Sequence, residues 1–263
     1  MTDIGSDLYP PRRPSVNIWS PDNDTESSSD INSAFYMPCG DGILDLIVDD
    51  RSRGGLLVLT GLGEGRFEPG GTLVDVGGDP YRGFAIGDLN SDGRLDFVTP
   101  NPNEVAVLIR TGSESITYRP ALSLESEGPV AFAVAIANIN GDTYPDITSA
   151  SERGNSSTRI FLGNGQAVFS EVNESPFRMA SGGKEIAVGD VNGDGIDDVL
   201  ISSWSSDVLF LIGGLERIRT DRLSGIEVPW GLAIGDLNED GKDDFVIADG
   251  VDSEIRIFVS SAR

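Results

Sequence analysis

One nine-residue pattern occurs four times along the chain without a gap: Asp88-Leu-Asn-Ser-Asp-Gly-Arg-Leu-Asp96, Asn138-Ile-Asn-Gly-Asp-Thr-Tyr-Pro-Asp146, Asp190-Val-Asn-Gly-Asp-Gly-Ile-Asp-Asp198 and Asp236-Leu-Asn-Glu-Asp-Gly-Lys-Asp-Asp244. The copies start 50, 52 and 46 residues apart. A degraded fifth copy, Met37 to Asp45, starts 51 residues before Asp88. It keeps Asp41, Gly42 and Asp45 but has Met37 and Cys39 where the others carry oxygen-bearing side chains. A period of this length makes each repeat one supersecondary unit, which buries its apolar face only by stacking on its neighbours.

The flanks of the pattern say what the unit is. A run of apolar and small residues precedes each loop, as in Phe84-Ala-Ile-Gly, Glu185-Ile-Ala-Val-Gly and Trp230-Gly-Leu-Ala-Ile-Gly. A second follows it (Phe97-Val-Thr, Val199-Leu-Ile, Phe245-Val-Ile-Ala), and a third comes after a turn (Val105-Ala-Val-Leu-Ile, Val208-Leu-Phe-Leu-Ile). A more polar fourth run is expected around Phe67, Ile116–Tyr118, Val168–Phe169 and Ile218. Short apolar runs between turn residues read as strands, and three apolar strands with one polar edge strand form the layout of a propeller blade. The expected fold is therefore all-β, a β-propeller of about five four-stranded blades. Its repeats lie near 31–80, 81–128, 129–181, 182–226 and 227–263. The last repeat ends after its third strand, and Ser15-Val-Asn-Ile-Trp19 is a spare strand that would complete it and seal the ring within a single domain, 15–263. The rival arrangement is an incomplete ring completed by other subunits. Residues 1–14 read as an extended tail, and Ser20–Asp30 as a mobile polar loop.

The chemistry of the loop is that of a hard cation. Ca²⁺ takes six to eight oxygens in a flexible shell, and side chains at positions 1, 3 and 5 of such a loop converge when position 6 allows a sharp turn. Position 7 then offers its carbonyl and position 9 a carboxylate. The ligand sets are Asp88, Asn90, Asp92, Arg94 (carbonyl) and Asp96; Asn138, Asn140, Asp142, Tyr144 (carbonyl) and Asp146; Asp190, Asn192, Asp194, Ile196 (carbonyl) and Asp198; and Asp236, Asn238, Asp240, Lys242 (carbonyl) and Asp244. Three of these sites are well formed. The one at Asn138 is weaker, having two carboxylates and Thr143 in place of the turn glycine, and the Met37 loop is expected to be empty. With no histidine and one cysteine, softer metals are disfavoured.

The core Gly-Asp-x-Asn-x-Asp-Gly-x-x-Asp, followed by a strand and Leu-Gly-Asn-Gly, resembles the FG-GAP/VCBS repeats of integrin-α-like propellers. Gly189–Asp198 and Leu162-Gly-Asn-Gly165 carry the resemblance, which spans about residues 31–263. It implies a propeller with Ca²⁺ in the loop joining the first and second strands of each blade, working in extracellular adhesion and ligand binding, lectins included. The chain departs from the usual seven blades in having five repeats.

Composition narrows the function classes. A formal charge of −24 opposes binding to nucleic acid and adsorption to anionic membranes. Of the 19 basic residues only Lys184 and Lys242 are lysine. That bias suits hydration in concentrated salt, so a halophilic source competes with ordinary acidic solubility plus metal ligands. Cys39 is alone and makes no disulfide within the chain; it reads as a small buried residue. No signal-peptide core or membrane span is visible. Without histidine there is no Ser-His-Asp or Cys-His arrangement, so the chain is not expected to be an enzyme.

The expected function is a surface recognition or adhesion module, extracellular or on a virion, with a protein or glycan ligand. Tyr81 and Trp230, near the starts of inner strands, are the candidate ligand contacts, against the alternative that they pack between blades. The tail is a candidate for docking on a larger assembly, and a homo-oligomer is also compatible. The competing class is a calcium-dependent carbohydrate-active enzyme of lyase type.

Overall fold

The computed structural model describes residues 34–38, 43–78, 80, 83–101, 104–112, 116–119, 122–125, 131–151, 157–179, 181–204, 207–251 and 253–260. The expected tail, the spare strand Ser15–Trp19, the loop Ser20–Asp30, Cys39 and Tyr81 lie outside them.

Alternating apolar runs separated by Gly/Asp/Asn turns give antiparallel sheets, one per repeat. Sheet one pairs β1 (Ala34–Pro38), β2 (Leu44–Asp50), β3 (Gly55–Leu59) and β6 (Thr72–Asp75) in that order, with a small hairpin of β4 (Gly61–Gly63) and β5 (Arg66–Phe67) between. Sheet two runs β7 (Ala85–Gly87), β8 (Asp96–Asn101), β9 (Glu104–Leu108), β10 (Leu122–Glu125). Sheet three is β11 (Ala131–Ala137), β12 (Asp146–Ser151), β13 (Ser157–Gly163), β14 (Phe169–Glu171), with β15 (Phe177–Arg178) also on β13. Sheet four is β16 (Gly183–Gly189), β17 (Asp198–Ser203), β18 (Asp207–Ile212), β19 (Arg219–Ser224). Sheet five has β20 (Pro229–Gly235), β21 (Asp244–Asp249) and β22 (Glu254–Phe258).

Two of the expected fourth strands are displaced. Phe67 belongs to the β4–β5 hairpin, and Tyr118 makes only an isolated bridge to Arg110. The edge strands are instead β6 and β10, further along the chain. The apolar residues that suggested strands serve as side chains over the core: Ile116 and Tyr118 pack against its first cluster, with Tyr118 stacked on Phe97 at 4.7 Å between centroids. Polar edge strands are borne out in β19, which is exposed along most of its length.

The sheets stack face to face in chain order. β11 packs on β7 and β8, β16 on β11, and β20 on β16. Four apolar clusters fill the four junctions. Ile47, Leu56 and Val58 meet Phe84 and Phe97 between sheets one and two; Val98 and Val107 meet Ile147 and Phe161 between two and three. Ala150 and Ile160 meet Ile201 and Leu209 between three and four; Leu200 and Val208 meet Leu232 and Ile247 between four and five. Each interior sheet therefore contributes both faces to the core, which is why its central strands read as nearly continuous apolar runs. No helix of the described residues is long and apolar enough to cross a membrane.

Candidate metal loops and the residues that hold them

All four intact copies connect the first strand of a sheet to its second, so the loops share one end of the stack. Backbone conformation and side-chain caps together set their shape. Positions 4 and 6 are left-handed in every copy: Ser91, Gly141, Gly193 and Glu239 at position 4, with φ from 59° to 78°, and Gly93, Thr143, Gly195 and Gly241 at position 6, with φ from 79° to 85°. Glycine takes this region freely, whereas a β-branched residue there is strained, so Thr143 is held at a cost.

The side chains at positions 1, 3 and 5 turn inward on the loop's own amides. Asp190 accepts from the N–H groups of Gly193 (2.7 Å), Asp194 (3.1 Å) and Gly195 (2.8 Å). Asn192 Oδ1 accepts from Asp194 N–H at 2.9 Å, and Asp194 Oδ1 from Ile196 N–H at 2.9 Å. The loops at Asp88 and Asp236 repeat the scheme through Asp92, Gly93 and Arg94, and through Asp240, Gly241 and Lys242. In the loop at Asp88 the Arg94 guanidinium also pairs with Asp92. Amide bonds hold the exposed Asp236 carboxyl below the usual range, that from Gly241 most strongly.

Position 9 is different in kind. Asp96, Asp146, Asp198 and Asp244 are fully buried, and each carboxylate spans two backbone donors. One oxygen takes the N–H of loop position 2: Leu89, Ile139, Val191 and Leu237, at 2.9 to 3.1 Å. The other takes an N–H at or just past the end of the third strand: Arg110, Gly163, Gly213 and Ser260, at 2.8 to 2.9 Å. Each thus ties its loop to the end of the third strand, which lies at the same end of its sheet. Burial pushes the carboxyls of Asp96, Asp146 and Asp198 up to about 6 against these bonds, and neighbouring loop aspartates add to the rise.

The degraded copy departs in backbone as well as in sequence. β1 runs through Met37 and Pro38, which pair with Asp45 and Leu44, whereas in the intact copies the first strand has ended before the loop residue at position 1. Asp45 is fully buried and accepts from Gly61 N–H at 2.8 Å through Oδ1, but its Oδ2 has no hydrogen-bond partner among the described residues. Without a polar residue at position 1 to cap the amides, strand pairing extends through positions 1 and 2.

The side chains at positions 1, 3, 5 and 9 offer a hard cation oxygen donors, and a carboxylate oxygen that accepts one amide keeps a second lone pair, although the Arg94 guanidinium stands on Asp92 in the loop at Asp88. The donor set fits calcium on that ground. Among the described residues, however, no group of three acidic side chains stands together as a ready cage. Of the two candidate ligand contacts, only Trp230 is described. It sits at the start of β20, at the end opposite the loop that follows that strand, and is 41% exposed. The Lys184 ammonium lies 3.5 Å from the centroid of its ring and 4.8 Å from that of Trp204, so the indole also packs between sheets four and five.

Asp197 and Asp243, at position 8, were missed as functional residues. Each carboxylate accepts the backbone N–H of the preceding repeat's position 1, Asn138 or Asp190, at 2.8 Å. The Asp-Asp doublets were the available signal, read only for their second member.

The chain matches the model of the FG-GAP-like repeat over residues 40–99, 88–149 and 138–201, successive windows sharing a loop. No curated protein matches it. Among solved structures, the V. cholerae biofilm matrix protein Bap1 is similar with a TM-score of 0.53 at 16% identity, over 94% of this chain and 41% of that one. The Photorhabdus luminescens Tc holotoxin pore gives 0.42 at 18% identity, over 89% of this chain and 11% of that one, and carries no argument. The chain thus spans less than half the length of the matrix protein. With three matched windows covering 40–201 and the same loop geometry repeated beyond them at Asp236, this chain belongs to the FG-GAP-like repeat family.

Proposed function

We propose that this protein is a non-enzymatic recognition module of a surface, a β-propeller braced by calcium, whose ligand is a protein or a glycan. The observation that carries it is the fourfold recurrence of one oxygen-lined loop at one end of the stack. Calcium would be held by positions 1, 3, 5, 7 and 9 of the loops at Asp88, Asp190 and Asp236, and more weakly at Asn138. Bound there it supplies positive charge to a chain of formal charge −24 and ties each loop to its sheet. Similarity of fold to a biofilm matrix protein is in keeping with adhesion. The lysine-poor acidic surface extends the reading to a virion or cell surface in concentrated salt.

Closure of the ring belongs to this proposal. Sheet five presents Ile255 and Ile257, 72% and 61% exposed, with Val246 across from Ile257. Sheet one presents Leu46, Leu57 and Leu59 on the face turned away from sheet two. These two faces have the character of the four filled junctions, and sheet five, three-stranded, has room for Ser15–Trp19 as its fourth strand. A cysteine pair at Leu57 and Ile257 would form a disulfide within a monomer if the ring closes on itself, and between chains if other subunits complete it.

A glycan array, with and without EDTA and with Trp230→Ala alongside, tests the function. Calcium-dependent binding weakened by W230A supports it, with Trp230 stacking on a sugar. Turnover of an acidic polysaccharide would overturn the non-enzymatic reading.

A further inference from the structure

In the FG-GAP-like loops the backbone at position 1 sets where the first ligand stands. In two of them it is fixed from the next repeat. Asp197 Oδ2 accepts the N–H of Asn138 at 2.8 Å, and the N–H of Asp197 donates back to the Asn138 carbonyl at 3.0 Å. The same two-way clasp joins Asp243 to Asp190, at 2.8 and 2.9 Å. Further bonds run beside it: Gly214 N–H to the Ile139 carbonyl at 3.0 Å, and Ser260 Oγ to the carbonyls of Val191 (2.9 Å) and Asp243 (2.7 Å). A Cβ on Gly189 would stand 2.6 Å from Asp243 Oδ2 and 2.2 Å from Ile234 Cγ2, so the glycine lets sheet five close in on the loop, whereas Ala137 holds the equivalent place before Asn138.

The clasp is not general. Position 8 is Leu44, Leu95 and Pro145 in the first three repeats, and none of these side chains can accept a hydrogen bond. Between the loops at Asp88 and Asn138 the described link is a single bond, Ala167 N–H to the Leu89 carbonyl at 3.3 Å.

We propose that Asp197 and Asp243 are positioning residues that couple the loops at Asn138, Asp190 and Asp236 into one cooperative row, with the loop at Asp88 standing outside it. Ordering one loop fixes the position-8 carboxylate at its end and thereby the first ligand of the loop before it. Any ligand that orders a loop then favours order in its neighbour, which is positive coupling. The calcium arm of this inference rests on the proposed function; the coupling of the loops does not.

Hydrogen exchange read by mass spectrometry on the full chain tests both, first in EDTA and then across a calcium titration. In EDTA, Asp243→Ala is expected to speed exchange of residues 190–196 about three- to tenfold, the worth of one backbone-to-carboxylate bond, and to leave 88–94 unchanged. Asp243→Asn keeps an oxygen acceptor and should stay near the wild-type rate. In calcium, D243A should raise the concentration that protects 190–196 by a similar factor. Wild-type exchange at 190–196 in D243A overturns the coupling. Should D243A speed exchange throughout the chain, Asp197→Ala read at 138–144 decides, with the same expectation. Calcium that protects no loop of the wild type, alongside acceleration by D243A in EDTA, refutes the calcium reading and leaves the coupling standing.

Discussion

Asp45 and Asp198 occupy the same repeat position, are both fully buried, and differ in whether the second carboxylate oxygen is bonded, so one substitution at each compares the two cases. Asp198 spans Gly213 N–H at 2.9 Å and Val191 N–H at 3.1 Å, and Asn192 Nδ2 reaches its two oxygens at 3.4 and 3.3 Å. D198N keeps the first through its carbonyl oxygen and sets an amide nitrogen against the second, leaving two donors facing each other in the core. A buried group stripped of its partner costs about 1–3 kcal/mol. Among the described residues Asp45 holds only Gly61, and none donates to its Oδ2, so D45N displaces no described donor. D198N also relieves the burial that raises the Asp198 carboxyl, so the comparison is made near pH 4, where that carboxyl is already protonated in the fold and about half protonated in the unfolded chain. D198N should therefore be less stable than D45N by about 1–3 kcal/mol, a gap of roughly 0.3–1 M in urea midpoint for a slope near 3 kcal/mol/M. Urea unfolding in EDTA, followed by circular dichroism with the slope checked for constancy, reads it free of metal. Equal midpoints, or D45N the weaker, would refute the view that the second amide gives position 9 its structural value.

Two further outcomes follow from the loops. Thr143 sits at φ 82° where the other copies have glycine, so Thr143→Gly should stabilise the protein by about 1–3 kcal/mol, seen as a higher melting temperature. It should also tighten calcium at that loop; a lower melting temperature would show that the threonine is not strained. The pH dependence has a defined sign. Burial pushes Asp96, Asp146 and Asp198 up to about 6 in the fold against an ordinary 3.8, so between these values the folded state holds protons that the unfolded chain has released. In EDTA, stability should rise as pH falls from 7 toward 5, by on the order of 1 kcal/mol per pH unit for each group. Urea midpoints at the two pH values check it, and a fall on acidification would contradict the burial argument.

Much of the fold was legible because the period fixes it. Loop, second strand and third strand recur in the four intact repeats and fell where the pattern put them, and in the first repeat the second and third strands did so. The edge strands were harder. Their burial is one-sided and their sequences polar, so Phe67, Ile116 and Tyr118 attracted the assignment, although Phe67 stands in a separate hairpin and Ile116 and Tyr118 pack on the core from around an isolated bridge. The loops were legible as donor sets, but not as hydrogen-bonded objects. Nothing in Asp96 or Asp198 alone says that both oxygens are taken by amides far apart in sequence. The role of Asp243 was hidden for the same reason, since its partner lies 53 residues away in another repeat.

Calcium held by these loops, bracing the stack, is the centre of the proposed function. Differential scanning calorimetry with EDTA and with millimolar calcium, paired with titration calorimetry, tests it directly. Each site at a hundredfold excess over its dissociation constant adds about 2.7 kcal/mol, so three filled loops should raise the melting temperature by at least about 10 °C. The titration should show three tight events and one weaker. An unchanged melting temperature, with no heat of binding, would contradict the account.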